Sequence, residues 1–127
     1  MKGSLMLHVI GMVLSWIGAV GIIGIGIAYL MKHEGNASGF GLPTLPSPDA
    51  RGWWQVKGIR DIGTGLTLIV FALFAPAQLP LALLPMAVIP FGDACIILAN
   101  KGSRKTAYSV HVSTAVAMLI AAGLLVL

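Results

Sequence analysis

Apolar residues in this chain come in long blocks, and the polar ones are collected between the blocks or gathered on single faces. Four blocks stand out: Leu7 to Leu30, Trp53 to Phe74, Leu79 to Ala99 and Thr106 to Leu127. Each is close to the ~20 residues that a helix needs to cross a hydrocarbon layer of ~30 Å. Between the first two, residues 31–52 carry Pro43, Pro46 and Pro48 among glycines and serines, which forbids a continuous helix and predicts one long loop. Pro76 and Pro80 predict a tight, uncharged turn before the third block. Pro85 and Pro90 each remove a backbone donor inside that block and predict a kink or break just before Gly92-Asp93. The pattern as a whole predicts an all-α, integral membrane four-helix bundle, one domain over residues 1–127, with both termini on the same side. The first block follows Lys2 and mimics a signal peptide, but it is longer than an h-region and is read as a retained helix.

Composition strengthens the membrane reading, because 57% of residues are hydrophobic and only 9% charged, too few to clothe a soluble core. A net charge of +4 would suit nucleic acid, but Lys101, Arg104 and Lys105 abut apolar blocks, where basic residues set orientation instead. No nucleic-acid partner is therefore expected. On the terminal side stands Lys2 alone, against Lys32, Arg51, Lys101, Arg104 and Lys105, so loops 31–52 and 100–105 are predicted to be cytoplasmic and the termini to face the opposite side. Cys95 is the single cysteine and has no partner for a disulfide or a metal motif. Asn36-Ala37-Ser38 fits the glycosylation pattern, a motif short enough to arise by chance.

The second block is the one that its charges interrupt. Within WWQVKGIRDIGTGL, Lys57, Arg60, Asp61 and Thr64 stand at i, i+3, i+4 and i+7, which is one face of a helix. Gly58, Ile62, Gly65 and Ile69 occupy the opposite face and are predicted to meet lipid or a packed neighbour. At ~1.5 Å rise per residue, Asp61 lies ~12 Å below the loop edge, Asp93 also ~12 Å and His111 ~9 Å, so three helices deliver ionisable groups to one layer. Tyr108, His111, Thr114 or Ala115, and Met118 form a stripe on the fourth block, and Asn100 follows Asp93 by seven residues on the same side of the third. The first block offers Gly11, Ser15, Gly18, Gly21 and Gly24, a pattern for close helix packing rather than ligand contact.

An ionised side chain in hydrocarbon costs at least ~2.5 kcal/mol and must find a partner or water. Structural glue would meet that need through Arg60 with Asp93 across helices and Lys57 with Asp61 within one. The functional alternative is a pocket in which Arg60, Asp61, Asp93 and His111 are catalytic and Lys57, Thr64, Tyr108 and Asn100 contact a ligand. Two carboxylates in one pocket titrate apart and can serve as acid and base. An arginine between two aspartates suits epoxide opening by activated water, whereas His111 beside an aspartate suits moving a proton next to a carbonyl or double bond. His8, His33 and His111 fall at different depths or sides and form no metal-binding motif, and GIRDIGTG lies inside an apolar block where a phosphate loop has no place. Neither metal nor cofactor is expected.

KGIRDIGTGL, PFGDACIIL and AYSVHVSTA, together with FGLP at Phe40 to Pro43, resemble the small four-helix integral membrane proteins grouped only as a domain of unknown function, DoxX-like in outline. That resemblance implies a four-helix membrane fold with Gly58, Arg60, Asp61, Asp93 and His111 as its recurring polar signature, and it implies no agreed reaction. Two classes of function follow from the residues. One is a small acid–base enzyme, of isomerase or epoxide-opening type, acting on a lipophilic molecule. The other is a non-enzymatic membrane component, an assembly subunit or a proton- or anion-linked carrier, with the same residues as structural ion pairs and with a homo-oligomer required if it carries solute.

Overall fold

The computed structural model describes residues 2–127 and, of His33, the backbone alone. Helix α1 (Lys2–Met31) leads into the short α2 (His33–Ser38), and an extended stretch then reaches α3 (Arg51–Phe74). The third apolar block is two helices, α4 (Leu79–Met86) and α5 (Val88–Ala99), and the fourth runs from a short α6 (Arg104–Thr106) through a π-helical turn at Ala107–Val112 into α7 (Ser113–Val126). Among the described residues there is no strand. Among the described residues, three stretches are long and apolar enough to cross a membrane: Lys2–Met31, Pro76–Ala99 and Arg104–Val126. Helix α3 has the length, but Arg51, Lys57, Arg60 and Asp61 interrupt its apolar run.

The third block is broken, but at Ala87 between the two prolines rather than just before Gly92-Asp93, which lie inside α5. Pro85 and Pro90 cannot donate to the carbonyls four residues before them, so the ladder is interrupted on both sides of that residue. Helix α5 then ends in a Schellman arrangement: Lys101 N–H bonds the Leu98 carbonyl at 3.1 Å and Gly102 N–H the Ile97 carbonyl at 2.8 Å, with Lys101 itself in the left-handed region at φ 58. Ser103 restarts the chain as an N-cap, its hydroxyl accepting from the Thr106 N–H at 3.1 Å.

Helix α1 packs against α3 and α7, while α4 lies against α7 and α3. The α1–α3 seam is made by missing side chains. A Cβ on Gly65 would sit 2.5 Å from the Ala19 carbonyl oxygen, and one on Gly26 would sit 2.5 Å from the Gly58 carbonyl oxygen. Gly58 and Gly65 thus meet a packed neighbour, α1, but not on a face opposite the charges: Gly58, Asp61, Gly65 and Leu68, spaced three and four apart, form one buried face of α3. At one end, His8 Nδ1 bonds the Leu125 carbonyl at 3.2 Å, joining the start of α1 to the end of α7. At the other end, Ser103 N–H bonds the Gly41 carbonyl at 2.7 Å, joining the 31–50 loop to the turn after α5.

Buried apolar side chains form two clusters. Ala19, Leu68, Leu79, Leu83, Ala121 and Leu125 fill the terminal end; Ala94, Ile97 and Ala107, with Phe40 and Leu42 packed on them, close the loop end. The outward faces are apolar as well, with Ile17, Val20, Leu66, Val70, Leu84 and Val116 all exposed.

The seam predicts opposite responses to one added methyl group. Gly65→Ala is expected to lower stability by about 1–3 kcal/mol through overpacking. Gly63→Ala, where a Cβ meets nothing, is expected to cause no loss, and thermal unfolding of the two proteins in detergent checks the contrast.

Candidate functional site

Between the two apolar clusters lies a cavity of about 560 Å³, inside the range of small-molecule sites. Its walls come from every long helix: Leu14, Ile17 and Ile22 from α1, Leu68 from α3, Leu83 and Met86 from α4, and Met118 from α7. Its polar end lies under the loop, where Gly35, Asn36, Gly39 and Phe40 close it. The ionisable side chains that line it are Tyr29, Lys57, Asp61, Asp93 and His111.

Lys57 and Asp61 are one helical turn apart on α3, and their side chains meet at 2.6 Å. Lys57 Nζ also stands 4.6 Å from the centre of the Tyr29 ring and 5.3 Å from that of Phe40, so its charge is balanced by a carboxylate and by two aromatic faces. Tyr29 stacks on Trp54 at 5.8 Å between centroids, and Phe40 meets Trp54 edge-on. Asp61 is buried.

His111 is held from the opposite wall. Its Nε2 lies 3.2 Å from the Phe40 carbonyl oxygen, and the Phe40 ring packs edge-on against the imidazole at 4.8 Å. A carbonyl only accepts, so Nε2 carries a hydrogen and, in the neutral ring, Nδ1 holds the lone pair. Nδ1 lies 3.7 Å from Asp93 Oδ2, too far for a hydrogen bond and close enough for a small shift to make one. The π-helical turn presents His111 in this way: the Ser113 N–H reaches back to the Tyr108 carbonyl, five residues earlier, and such wide turns recur at functional sites.

The structure therefore brings Lys57, Asp61, Thr64, Asp93 and His111 into one cavity and leaves three expected residues outside it. Arg60 is exposed on the outer face of α3, because a wall lined by Lys57, Asp61 and Thr64 is narrower than the i, i+3, i+4, i+7 stripe. The Arg60–Asp93 ion pair expected from sequence is not formed; Asp93 pairs with His111. Tyr108 is 59% exposed, since a π-helical turn takes more residues per revolution and residues three apart no longer share a face. Asn100 closes α5 instead, its side chain donating to the Ile96 carbonyl at 2.8 Å. Asn36, the sugar-acceptor candidate, donates to the Ala28 and Lys32 carbonyls at 3.1 and 2.8 Å and so caps the end of α1.

Sequence reasoning missed Tyr29, Phe40 and the cavity-facing side of α1. Gly18 and Gly21, read as packing residues, line the cavity and face open space. Tyr29 sits at the loop end of its helix, the level of Lys57, and that matching depth was the signal available. Phe40 lies in a loop, where neither helical spacing nor depth places a side chain.

The family described as a domain of unknown function (DUF4267) matches residues 19–125. The chain belongs to that family. The match runs from the middle of α1 almost to the end of α7 and takes in every ionisable group of the cavity and the loop above it. No curated protein and no solved structure matches the chain. In this DUF4267 protein, removing one partner of the Lys57–Asp61 pair leaves a half-buried charge. Lys57→Met is expected to lower stability by up to ~3 kcal/mol, whereas Arg60→Met, on an apolar outer face, is expected to cost little or nothing; chemical denaturation in mixed micelles compares the two.

Proposed function

We propose that this protein is a four-helix integral membrane enzyme that moves a proton within a lipophilic molecule, using the Asp93–His111 pair as acid and base. The observation that carries this reading is a largely apolar cavity whose polar end already contains a matched Lys57–Asp61 pair and into which a carboxylate and an imidazole with a free Nδ1 project 3.7 Å apart. A proton can be held by either group and passed between them, which is the requirement for delivering it to one atom and collecting it from another.

Membrane embedding is supported by the three long apolar helices and by the exposed apolar side chains on their outer faces, which a bilayer would cover. Helix α3 would make the fourth crossing. Lys57 and Asp61 neutralise each other on its inner face, and Arg60 stands about nine residues from its loop end, within reach of the headgroups by snorkelling. With more basic residues on loops 31–52 and 100–105, that end would face the cytoplasm.

The position of Arg60 favours proton transfer over epoxide opening, since the latter needs the arginine between the two aspartates. The tight Lys57–Asp61 pair supports a supporting rather than reacting part for those two residues. It holds Tyr29 and Phe40 around the ammonium and so shapes the polar end of the cavity.

Proton transfer leaves an isotopic record. Protein in nanodiscs, incubated in deuterated water with unsaturated isoprenoid and sterol-like lipophiles, is expected to place solvent deuterium on carbon in the product, read by mass spectrometry. Asp93→Asn and His111→Ala should each slow that incorporation by about 10²-fold or more, and Arg60→Gln should leave it largely intact. Equal incorporation by the Asp93→Asn, His111→Ala double variant would remove the reading.

A further inference from the structure

The hydrogen-bond donors around the cavity are already spent. Ser15 Oγ donates to the Gly11 carbonyl at 2.8 Å, Tyr29 Oη to the Asn36 carbonyl at 3.2 Å, Thr64 Oγ1 to the Arg60 carbonyl at 3.0 Å and Thr114 Oγ1 to the Val110 carbonyl at 2.6 Å. His111 Nε2 is taken by Phe40, and the Lys57 ammonium by Asp61 and two rings. What remains unspent is acceptor capacity. Each hydroxyl keeps lone pairs, Nδ1 of His111 keeps one, and Asp93 receives no hydrogen bond among the described residues. Two carboxylates and one lysine line the cavity and Arg60 does not; with Lys57 matched to Asp61, Asp93 is the carboxylate left without a cation at hydrogen-bond distance.

We propose that the cavity takes a lipophile that carries or develops positive charge: its substrate is an unactivated alkene rather than a carbonyl compound, and hydrophobic ammonium compounds are its tight ligands. The inference rests on the proton-shift reading above and narrows its substrate. Proton removal beside a carbonyl builds negative charge on oxygen and calls for further donors aimed at that oxygen; beyond the Asp93–His111 pair, which the removal itself engages, the walls offer none. An alkene needs the reverse. One carbon takes a proton from the Asp93–His111 pair through the π electrons, the neighbouring carbon becomes cationic, and a proton leaves the next carbon to the same pair as its C–H electrons form the new double bond. The double bond moves by one position, the pair regains its proton, and no oxidant or reductant is used. The cationic carbon is stabilised by Asp93 and by the hydroxyl lone pairs, which attract positive charge; Asp61 and the faces of Tyr29 and Phe40 already serve Lys57. A protonated amine on an apolar chain resembles that intermediate in charge and in hydrophobicity. The cavity size suits a single chain or a compact ring system better than a two-chain phospholipid.

Binding can be read without turnover. In nanodiscs of zwitterionic lipid, dimethyldodecylamine is expected to bind the intact protein at least ~10-fold more tightly than dodecanoate. Asp93→Asn is expected to weaken the amine by ~10-fold or more, with dodecanoate unchanged or improved, and Arg60→Gln to alter neither. Dodecanoate binding as tightly as the amine to the unaltered protein would overturn the proposal, whatever the folding of the variants. So would full amine affinity in a folded Asp93→Asn protein. Solvent deuterium on carbon together with a preference for dodecanoate would reject the cationic cavity and keep the proton shift. Amine preference without deuterium transfer would keep the cationic cavity and reject the reaction.

Discussion

The hydrogen bond from His111 to the backbone carbonyl of Phe40 is the contact on which the site depends. It joins the fourth apolar block to the loop after the first, fixes which imidazole nitrogen carries the hydrogen, and pins the loop across the polar end of the cavity. A side-chain acceptor in that place could ionise or rotate; a carbonyl in a loop held at Gly41 and Ser103 does neither. Gly41 takes φ +107 there with Thr106 close against it, a conformation that glycine adopts without steric cost. Loop geometry, ring orientation and proton position thus follow from one another.

Charge placement obeys the same economy. The polar layer sits between an apolar plug of small and branched side chains at the terminal end and a smaller aromatic-capped cluster at the loop end, so its electrostatic interactions act at reduced dielectric. Lys57 and Asp61 answer each other within one helix, with the rings of Tyr29 and Phe40 set around the ammonium. Asp93 and His111 come from different helices and stop just short of a bond. One pair is closed and the other is open, and the proposed division between supporting and reacting parts rests on that difference.

Much of this was legible in the chain. Block lengths gave the helices to within a few residues, because a span is fixed by length and apolarity alone, and the prolines marked the interrupted third block. Depth counting placed Asp61, Asp93 and His111 in one layer, since rise per residue hardly varies between helices. Direction around the helix axis was less secure. Arg60 and Lys57 differ by three residues, yet one is outside and the other inside, and a boundary between faces cannot be located by spacing alone. The π-helical turn defeats spacing altogether at Tyr108, because AYSVHV carries no proline or glycine to announce a change of winding. Phe40 and Asn36 act from a loop, through a carbonyl and a capping amide, and such backbone-level functions leave no periodic trace.

The break at Ala87 also divides the molecule mechanically. Helix α4 belongs with the plug near the termini, while α5, the turn at Gly102 and the π-helical segment belong with the loop cluster. Pro85 and Pro90 remove two backbone donors there, while Ala87 N–H still reaches the Leu83 carbonyl at 3.0 Å and Phe91 N–H the Ala87 carbonyl at 3.3 Å. His111, by contrast, shares an unbroken helical run with the plug residues Ala121 and Leu125. Asp93 and His111 are thus anchored unequally, one beyond an interrupted helix and the other on a continuous one, and the 3.7 Å between them is set by two segments of different stiffness.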